Sequence, residues 1–189
     1  LELERPPHRR EDIRLVVEDT GWYLSTLTAT GHAPLKTPPA DPLITDADLL
    51  KEGEVVPDDA LVDTTGAARP LGSLRGSRVA LTFMYTRCPL PDFCPLMDKH
   101  FAAIQDEIRT SPDLADVRLV SVTLDPDYDV PAVLGRHAKA MGAQAGRWYF
   151  LSGKPDVVLG FAKRFGVTAQ SGDPDIGLVH NLRTAIIDA

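Results

Sequence analysis

Four apolar runs in the second half of the chain have the length and the flanking turn residues of β-strands. They occupy residues 78–85, 117–124, 148–153 and 183–189. The first two are apolar almost throughout, which is typical of strands that are buried on both faces of a sheet. The pattern therefore predicts a buried central sheet.

Helical periodicity fills the segments between these strands, over residues 95–108, 130–142 and 154–166. The predicted buried face of the first helix consists of Met97, Phe101, Ile104 and Ile108. Asp129 is the candidate N-cap of the second helix, and a glycine ends the second and the third. Strands and helices in alternation predict an α/β domain whose helices pack on the sheet.

The first 48 residues follow a different pattern. Alternating residues predict a β-hairpin with strands at 13–18 and 22–27. Because two strands alone do not form a stable unit, we interpret residues 1–28 as the end of a preceding small β module. Residues 29–48 are rich in proline and are interpreted as a linker. The main domain is then 49–189, and we expect it to continue beyond its last strand.

Charge and hydropathy narrow the range of partners. The 189 residues carry a net charge of −7 and have a pI near 5.2. An acidic chain of this kind argues against nucleic acid or an anionic membrane surface as the main partner. No apolar run approaches the ~20 residues that cross a bilayer. Membrane attachment is therefore expected only through an anchor outside this chain.

Cys88 and Cys94 are the only cysteines, six positions apart in the stretch RCPLPDFCP. The predicted elements place Cys88 just past the carboxyl end of a central strand, where α/β sheets bind ligands. They place Cys94 at the start of the next helix, where we expect the helix N-terminus to lower the pKa of the thiol. Arg87 either stabilises a thiolate at Cys88 or forms a salt bridge. The residues alone leave a disulfide, a reversible dithiol and part of a metal site open.

Other polar residues are weaker candidates. His180 lies in a loop directly before the last predicted strand, whereas His100 falls off the apolar stripe of its helix and is predicted to face solvent. Asp125, Asp127 and Asp129 follow a strand end on the same edge as the cysteines. Turn and capping chemistry explains all three acids. Docking of a partner or tuning of the site is the alternative.

Four blocks of sequence occur in the order of a known family. FMYTRCPLPDFCPLM, SVTLDPDYDVPAVLGRHAKAMGA, RWYFLSG and VHNLRTAIIDA resemble the Sco/SenC family of thioredoxin-fold copper proteins. The resemblance covers about residues 49–189. It implies a thioredoxin-like central sheet with flanking helices, to which the N-terminal β-hairpin is an extension. It also implies one copper ion, as Cu(I) or Cu(II), bound by Cys88, Cys94 and His180.

The resemblance implies a copper metallochaperone rather than an enzyme that turns over a substrate. Members of the family are implicated in assembly of the copper site of cytochrome c oxidase or in reduction of the thiols of that site. They usually face the periplasm or an equivalent compartment and are anchored in the membrane. We therefore expect an extracytoplasmic protein whose partner is the copper-site subunit of that oxidase or another copper protein. Five residues separate the cysteines here, against three in the usual family loop, which marks a longer-loop branch.

Coordination chemistry agrees with copper. Thiolates are soft ligands that suit Cu(I), and imidazole suits both oxidation states, whereas zinc usually takes four ligands or three and a water. A disulfide would compete with the metal because only thiolates bind it. The alternative function is a metal-free thiol–disulfide oxidoreductase in which Cys88 and Cys94 are redox-active. A peroxidase and a static structural disulfide are further alternatives.

Overall fold

A computed structural model describes residues 8–18, 21–33, 44–171 and 178–189. The chain divides into two compact units, residues 1–41 and 42–189. The first unit contains strands β1 (His8–Glu18) and β2 (Gly21–Ala33), which pair antiparallel. The predicted hairpin extension is therefore confirmed.

Both strands of the hairpin are longer than predicted. β2 continues to Ala33, five residues into the segment interpreted as a linker, so that boundary is wrong. Threonine recurs at every second position from Thr26 to Thr30, and β-branched residues favour extended, paired backbone. The proline content that suggested a linker belongs to residues 34–43, which lie outside the described residues.

The second unit alternates strand and helix. Its elements in chain order are β3 (Val79–Met84), α1 (Cys94–Thr110), β4 (Arg118–Thr123), α2 (Pro131–Ala140), β5 (Trp148–Leu151), α3 (Pro155–Arg164), β6 (Ala169–Ser171), β7 (Leu178–His180) and β8 (Thr184–Ile187). No helix in the described parts of the chain is long and apolar enough to cross a membrane.

The main sheet has the strand order β5-β4-β3-β8. β3, β4 and β5 run parallel, and β8 pairs antiparallel with β3. Every residue of β3 is buried, as the apolar run predicted. The carboxyl ends of β3 and β4 are therefore neighbours, which brings together the loops that follow them.

Helices cover both faces of this sheet. Alternate residues of a strand point to opposite sides and therefore contact different helices. On one face, Phe83 of β3 packs in a cluster with Val158 and Phe161 of α3. On the other face, Met84 packs in a cluster that contains Phe101 of α1 and Leu134 of α2. The predicted α/β class, a central sheet with flanking helices, is confirmed.

The buried face of α1 differs from the predicted one at two positions, where Asp98 and Gln105, rather than Met97 and Ile104, are the fully buried residues. Ile104 is 40% exposed, whereas Gln105 is buried. Gln105 donates a hydrogen bond from Nε2 to the Gly142 carbonyl (3.0 Å) and accepts one from the Gln144 amide (2.7 Å). A buried glutamine with satisfied hydrogen bonds costs little, so the loop after α2 selects Gln105 for the interior.

The start of α2 also differs from the prediction. Val130 is the N-cap, without a side-chain hydrogen bond, and α2 begins at Pro131. Proline suits the first helical position because its missing N–H has no partner there. The prediction that Asp129 caps this helix is wrong. The Asp129 side chain is fully buried, and its carboxylate accepts hydrogen bonds from Thr86 and Thr123 instead.

Candidate metal centre

The cysteine loop, residues 88–94, is separated from the end of β3 by three residues. The Cys88 amide donates to the Tyr85 carbonyl (3.3 Å), which forms a tight turn at the strand end. Cys88 is partly buried, and its sulfur points at the Leu90 carbonyl, 3.8 Å away. Pro89 and Pro91 restrict the backbone of the loop. Cys88 is thus held near the sheet edge and remains within reach of solvent.

Cys94 is the first residue of α1 and is only 1% exposed. It packs in the same cluster as Tyr85 and Phe101. The Cys88 thiol is near enough to contribute to the raised pKa of the Cys94 thiol, so the cysteine loop folds back toward the start of α1. Both cysteines are free thiols.

His180 lies at the end of β7, where it pairs with Ala169 of β6. The short strands β6 and β7 were not predicted, and three residues separate His180 from β8. His180 Nδ1 lies 2.9 Å from the Asn181 carbonyl. Since a carbonyl only accepts hydrogen bonds, Nδ1 carries the proton and Nε2 keeps its lone pair. That Nε2 lies 3.6 Å from Cys94 Sγ.

Tyr85 connects the strand end to the histidine. Its hydroxyl donates to the Leu178 carbonyl at the start of β7 (3.2 Å), and its ring meets the His180 ring edge-on at 5.5 Å. Burial raises the pKa of Tyr85 to about 12, so the phenol stays a hydrogen-bond donor. Tyr85 was not predicted as a site residue. Its place as the last residue of an apolar strand run, with a hydroxyl at the carboxyl end, was the available signal.

The structure therefore brings Cys88, Cys94 and His180 to one edge of the sheet. Within the described ranges, no three His, Cys, Asp or Glu side chains already form a group that could hold a metal ion. Cys94 and His180 face each other, whereas the Cys88 sulfur is turned toward the Leu90 carbonyl. The imidazole of His180 and the thiol of Cys94 are therefore in contact, whereas the Cys88 side chain is directed at the backbone of its own loop.

Burial governs the ionisation of the two donors that face each other. It raises the pKa of the Cys94 thiol to about 12, and the neighbouring Cys88 thiol adds to the effect. The prediction of a lowered pKa is wrong, because the helix N-terminus acts weakly on a sulfur that water does not reach. Burial also lowers the pKa of His180. Both side chains are consequently neutral at pH 7.

Arg87 forms a salt bridge instead of facing a thiolate. Its guanidinium donates to Asp125 Oδ2 from Nε (3.1 Å) and Nη2 (2.6 Å). It also lies over the Tyr128 ring, 3.9 Å from the centroid. These contacts join the loop after β3 to the loop after β4.

Asp129 makes the second link between these two loops. Its carboxylate is fully buried and accepts hydrogen bonds from the Thr86 amide (3.0 Å), the Thr86 hydroxyl and the Thr123 hydroxyl (2.6 Å). Thr123 in turn accepts a bond from the Asp125 amide (3.0 Å). The network fixes the backbone two residues before Cys88.

A further buried acid lies on the helix that carries Cys94. Asp98, one turn after Cys94, forms a hydrogen bond through Oδ2 with Nε2 of His137 in α2 (2.8 Å). Its other oxygen is buried without a hydrogen-bond partner. Asp98 was not predicted as a site residue, and its spacing of four residues from Cys94, which puts both on one face of the helix, was the available signal. His100 is exposed on the same helix, as predicted.

The sequence of the chain is similar to those of known proteins. A family model described as SCO1/SenC matches residues 48–189. The chain belongs to this family. A curated relative, the mitochondrial SCO2 homolog of Mus musculus, is 28% identical over 118 residues, which are 62% of this chain and 44% of that protein. The chain thus spans less than half the length of this relative.

Two solved structures have a similar fold. Copper-bound ScoI of Bradyrhizobium japonicum is 23% identical with a TM-score of 0.60, over 71% of this chain and 83% of that chain. BsSco, described as a member of the Sco family of cytochrome c oxidase assembly proteins and as containing a disulfide switch, is 24% identical with a TM-score of 0.60. It aligns with 74% of this chain and 81% of its own. The thioredoxin-like expectation for the fold is confirmed.

The buried thiol predicts a slow and pH-dependent chemical modification. In Cys88→Ser, the remaining Cys94 should react with iodoacetamide at least ~10-fold more slowly at pH 8 than Cys88 does in Cys94→Ser. Its rate should still rise between pH 9 and pH 11, because the folded protein keeps the thiol neutral there. Both variants should react alike in urea. A Cys94 rate that levels off below pH 9 would contradict the assignment.

The Asp129 network predicts a large loss of stability. Asp129→Asn replaces one acceptor oxygen with a donor that faces the hydroxyl and amide donors already there. We expect the free energy of unfolding to fall by about 2–4 kcal/mol, measured by urea denaturation. The matched control is Asp127→Asn, an exposed acid of the same loop, which should change stability little. Equal effects of the two substitutions would show that Asp129 is not the structural link.

Proposed function

We propose that this chain binds one copper ion through Cys88, Cys94 and His180 and passes it to a copper protein during assembly of cytochrome c oxidase. The observation that carries the proposal is the 3.6 Å approach of His180 Nε2 to the buried Cys94 sulfur, beside the second thiol. The copper in the Bradyrhizobium relative and the assembly role printed for BsSco support it.

The donor set fits copper as a cargo. Two thiolates prefer a soft ion such as Cu(I), and the imidazole supplies a third ligand that also suits Cu(II). The hydrogen bond from His180 Nδ1 to Asn181 fixes the tautomer and directs Nε2 at the sulfur. A neutral histidine needs no proton loss to bind. The two thiols each release a proton when Cu(I) binds, so two thiolates and one Cu(I) leave a net charge of −1.

The two cysteines have different parts in this proposal. Cys94 is fixed by α1 and sealed from water, so it is the anchor ligand. Cys88 lies at the start of the cysteine loop, and rotation about its side-chain bonds turns the sulfur from the Leu90 carbonyl toward Cys94 and His180. Delivery to an acceptor proceeds by ligand exchange, in which the half-buried Cys88 is the first ligand that an incoming thiol or imidazole replaces.

Redox state controls loading, because a Cys88–Cys94 disulfide removes two of the three ligands. Only the reduced chain accepts copper. We place the function outside the cytoplasm, with membrane attachment through a segment outside this chain. Fractionation of cells that produce the full-length protein tests this location, and recovery in the cytoplasmic fraction would contradict it.

Copper titration of the reduced protein tests the proposal directly. The wild type should bind one Cu(II) per chain with a thiolate-to-copper charge-transfer band. Cys88→Ser and Cys94→Ser should lose that band, and His180→Ala should weaken and shift it. His100→Ala is the matched control, since His100 is an exposed histidine on α1, and it should behave as the wild type does.

Two results would contradict this assignment. Wild-type binding of the metal in His180→Ala would remove the histidine from the ligand set. A reduced wild type that binds no copper but exchanges disulfides with a test protein would establish the thiol–disulfide oxidoreductase instead.

A further inference from the structure

Apolar side chains crowd the surface around the cysteine loop. Ten large hydrophobic side chains are exposed in the described part of the chain, and five of them lie on the loops that follow β3 and β4 and on the first turn of α1. We call these five the apolar rim: Leu90, Phe93, Leu96, Tyr128 and Val130. This clustering indicates a contact surface, since exposed apolar residues scattered singly need no explanation and contiguous ones do.

Contacts across the site place the members of the apolar rim at one edge. Leu90 and Phe93 belong to the cysteine loop itself, and Leu96 lies in the first turn of α1. Tyr128 is joined to the start of that loop through its contact with Arg87. Val130 follows the buried Asp129 and donates its amide to the Tyr128 carbonyl (2.8 Å).

The apolar rim does not serve the interior of the domain. Leu90 is 49% exposed and Phe93 is 42% exposed, although both are large and lie in a loop of only seven residues that ends at the buried Cys94. The five residues between the cysteines thus add apolar surface at the mouth of the site rather than packing for the core.

The exposed charges without a salt-bridge partner on the two loops of the apolar rim are of one sign. Residues 88–94 and 124–130 contain four acids and no basic residue. Asp125 is paired with Arg87 and Asp129 is buried. Asp92 and Asp127 are exposed and form no salt bridge with any described residue. A complementary surface is therefore apolar and flanked by Lys or Arg.

The geometry points to the apolar rim as the docking face for the copper acceptor, a protein whose own metal-binding face is apolar and flanked by basic side chains. The inference rests on the proposed function and specifies its partner. Transfer by ligand exchange requires the donors of both proteins within a few Å of one ion, so the interface must include the side chains that surround Cys88. Such a contact is small and short-lived, as in other transient complexes.

The test uses copper-free protein and the purified soluble copper-site domain of the cytochrome c oxidase subunit from the same organism. Calorimetry measures the Kd for the wild type and for Leu90→Ser/Leu96→Ser. The matched control is Leu159→Ser on α3, because Leu159 and Leu96 are 38% and 37% exposed. The rim variant should raise the Kd at least ~10-fold, or about 1.4 kcal/mol, and the control should not. Circular dichroism checks that each variant is folded.

A second arm tests the charges. Asp92→Asn/Asp127→Asn should slow association with the domain and reduce its dependence on salt, as expected for charges at the edge of an interface. The inference is overturned if the wild type does not bind the domain, or if the rim variant and the control bind equally. It is also overturned if the apolar rim instead mediates self-association in sedimentation or binding to phospholipid vesicles.

The outcomes separate this inference from the proposed function. If the wild type binds copper and the rim variant transfers it to the domain at the wild-type rate, the docking face is wrong and the metal site stands. If the wild type binds no copper, the metal site is wrong, whereas loss of domain binding in the rim variant still identifies the docking face.

Discussion

The buried carboxylate of Asp129 is the contact on which the geometry of the site depends. It accepts hydrogen bonds from Thr86 after β3 and from Thr123 at the end of β4. A buried charge is tolerated only where such partners compensate for lost hydration. The two strand ends are therefore fixed relative to each other before the cysteine loop begins, and the Arg87–Asp125 pair adds a parallel link nearer the surface. α1 fixes the other end of the loop by burying Cys94.

The two sulfurs therefore have different properties, although they lie at the two ends of one short loop. Cys94 is sealed in the core and its thiol stays neutral, while Cys88 is half-buried on the solvent side. Tyr85 extends the same rigid frame to β7, and β7 presents His180 with its free nitrogen toward Cys94. In the proposed function, Cys94 and His180 act as a rigid pair of ligands and Cys88 acts as an adjustable one, which suits an ion that must be both held and released. The apolar rim then surrounds Cys88.

Much of the fold follows from the sequence, because continuous apolar runs and helical periodicity depend on local residue order. β3, β4, β5 and the three helices were predicted on that basis, as was the cysteine loop at the sheet edge. The errors arose where tertiary contacts override the local pattern. Gln105 replaces Ile104 in the interior because the loop after α2 supplies its hydrogen-bond partners. Asp129 is of a residue type that commonly caps helices, yet Thr86 and Thr123 donate hydrogen bonds to its buried carboxylate.

The sequence likewise predicts only part of the candidate site. The sequence and its family resemblance predict Cys88, Cys94 and His180 as site residues. They do not predict strands β6 and β7, which position the histidine. The pKa of Cys94 was predicted in the wrong direction because a helix N-terminus is visible in a sequence, whereas burial by Tyr85 and Phe101 is visible only in the fold. Copper-edge X-ray absorption on the reduced, Cu(I)-loaded protein tests the central claim most directly. The account predicts two sulfur ligands and one nitrogen ligand of imidazole type, whereas a shell with one sulfur, or with no imidazole nitrogen, would contradict it.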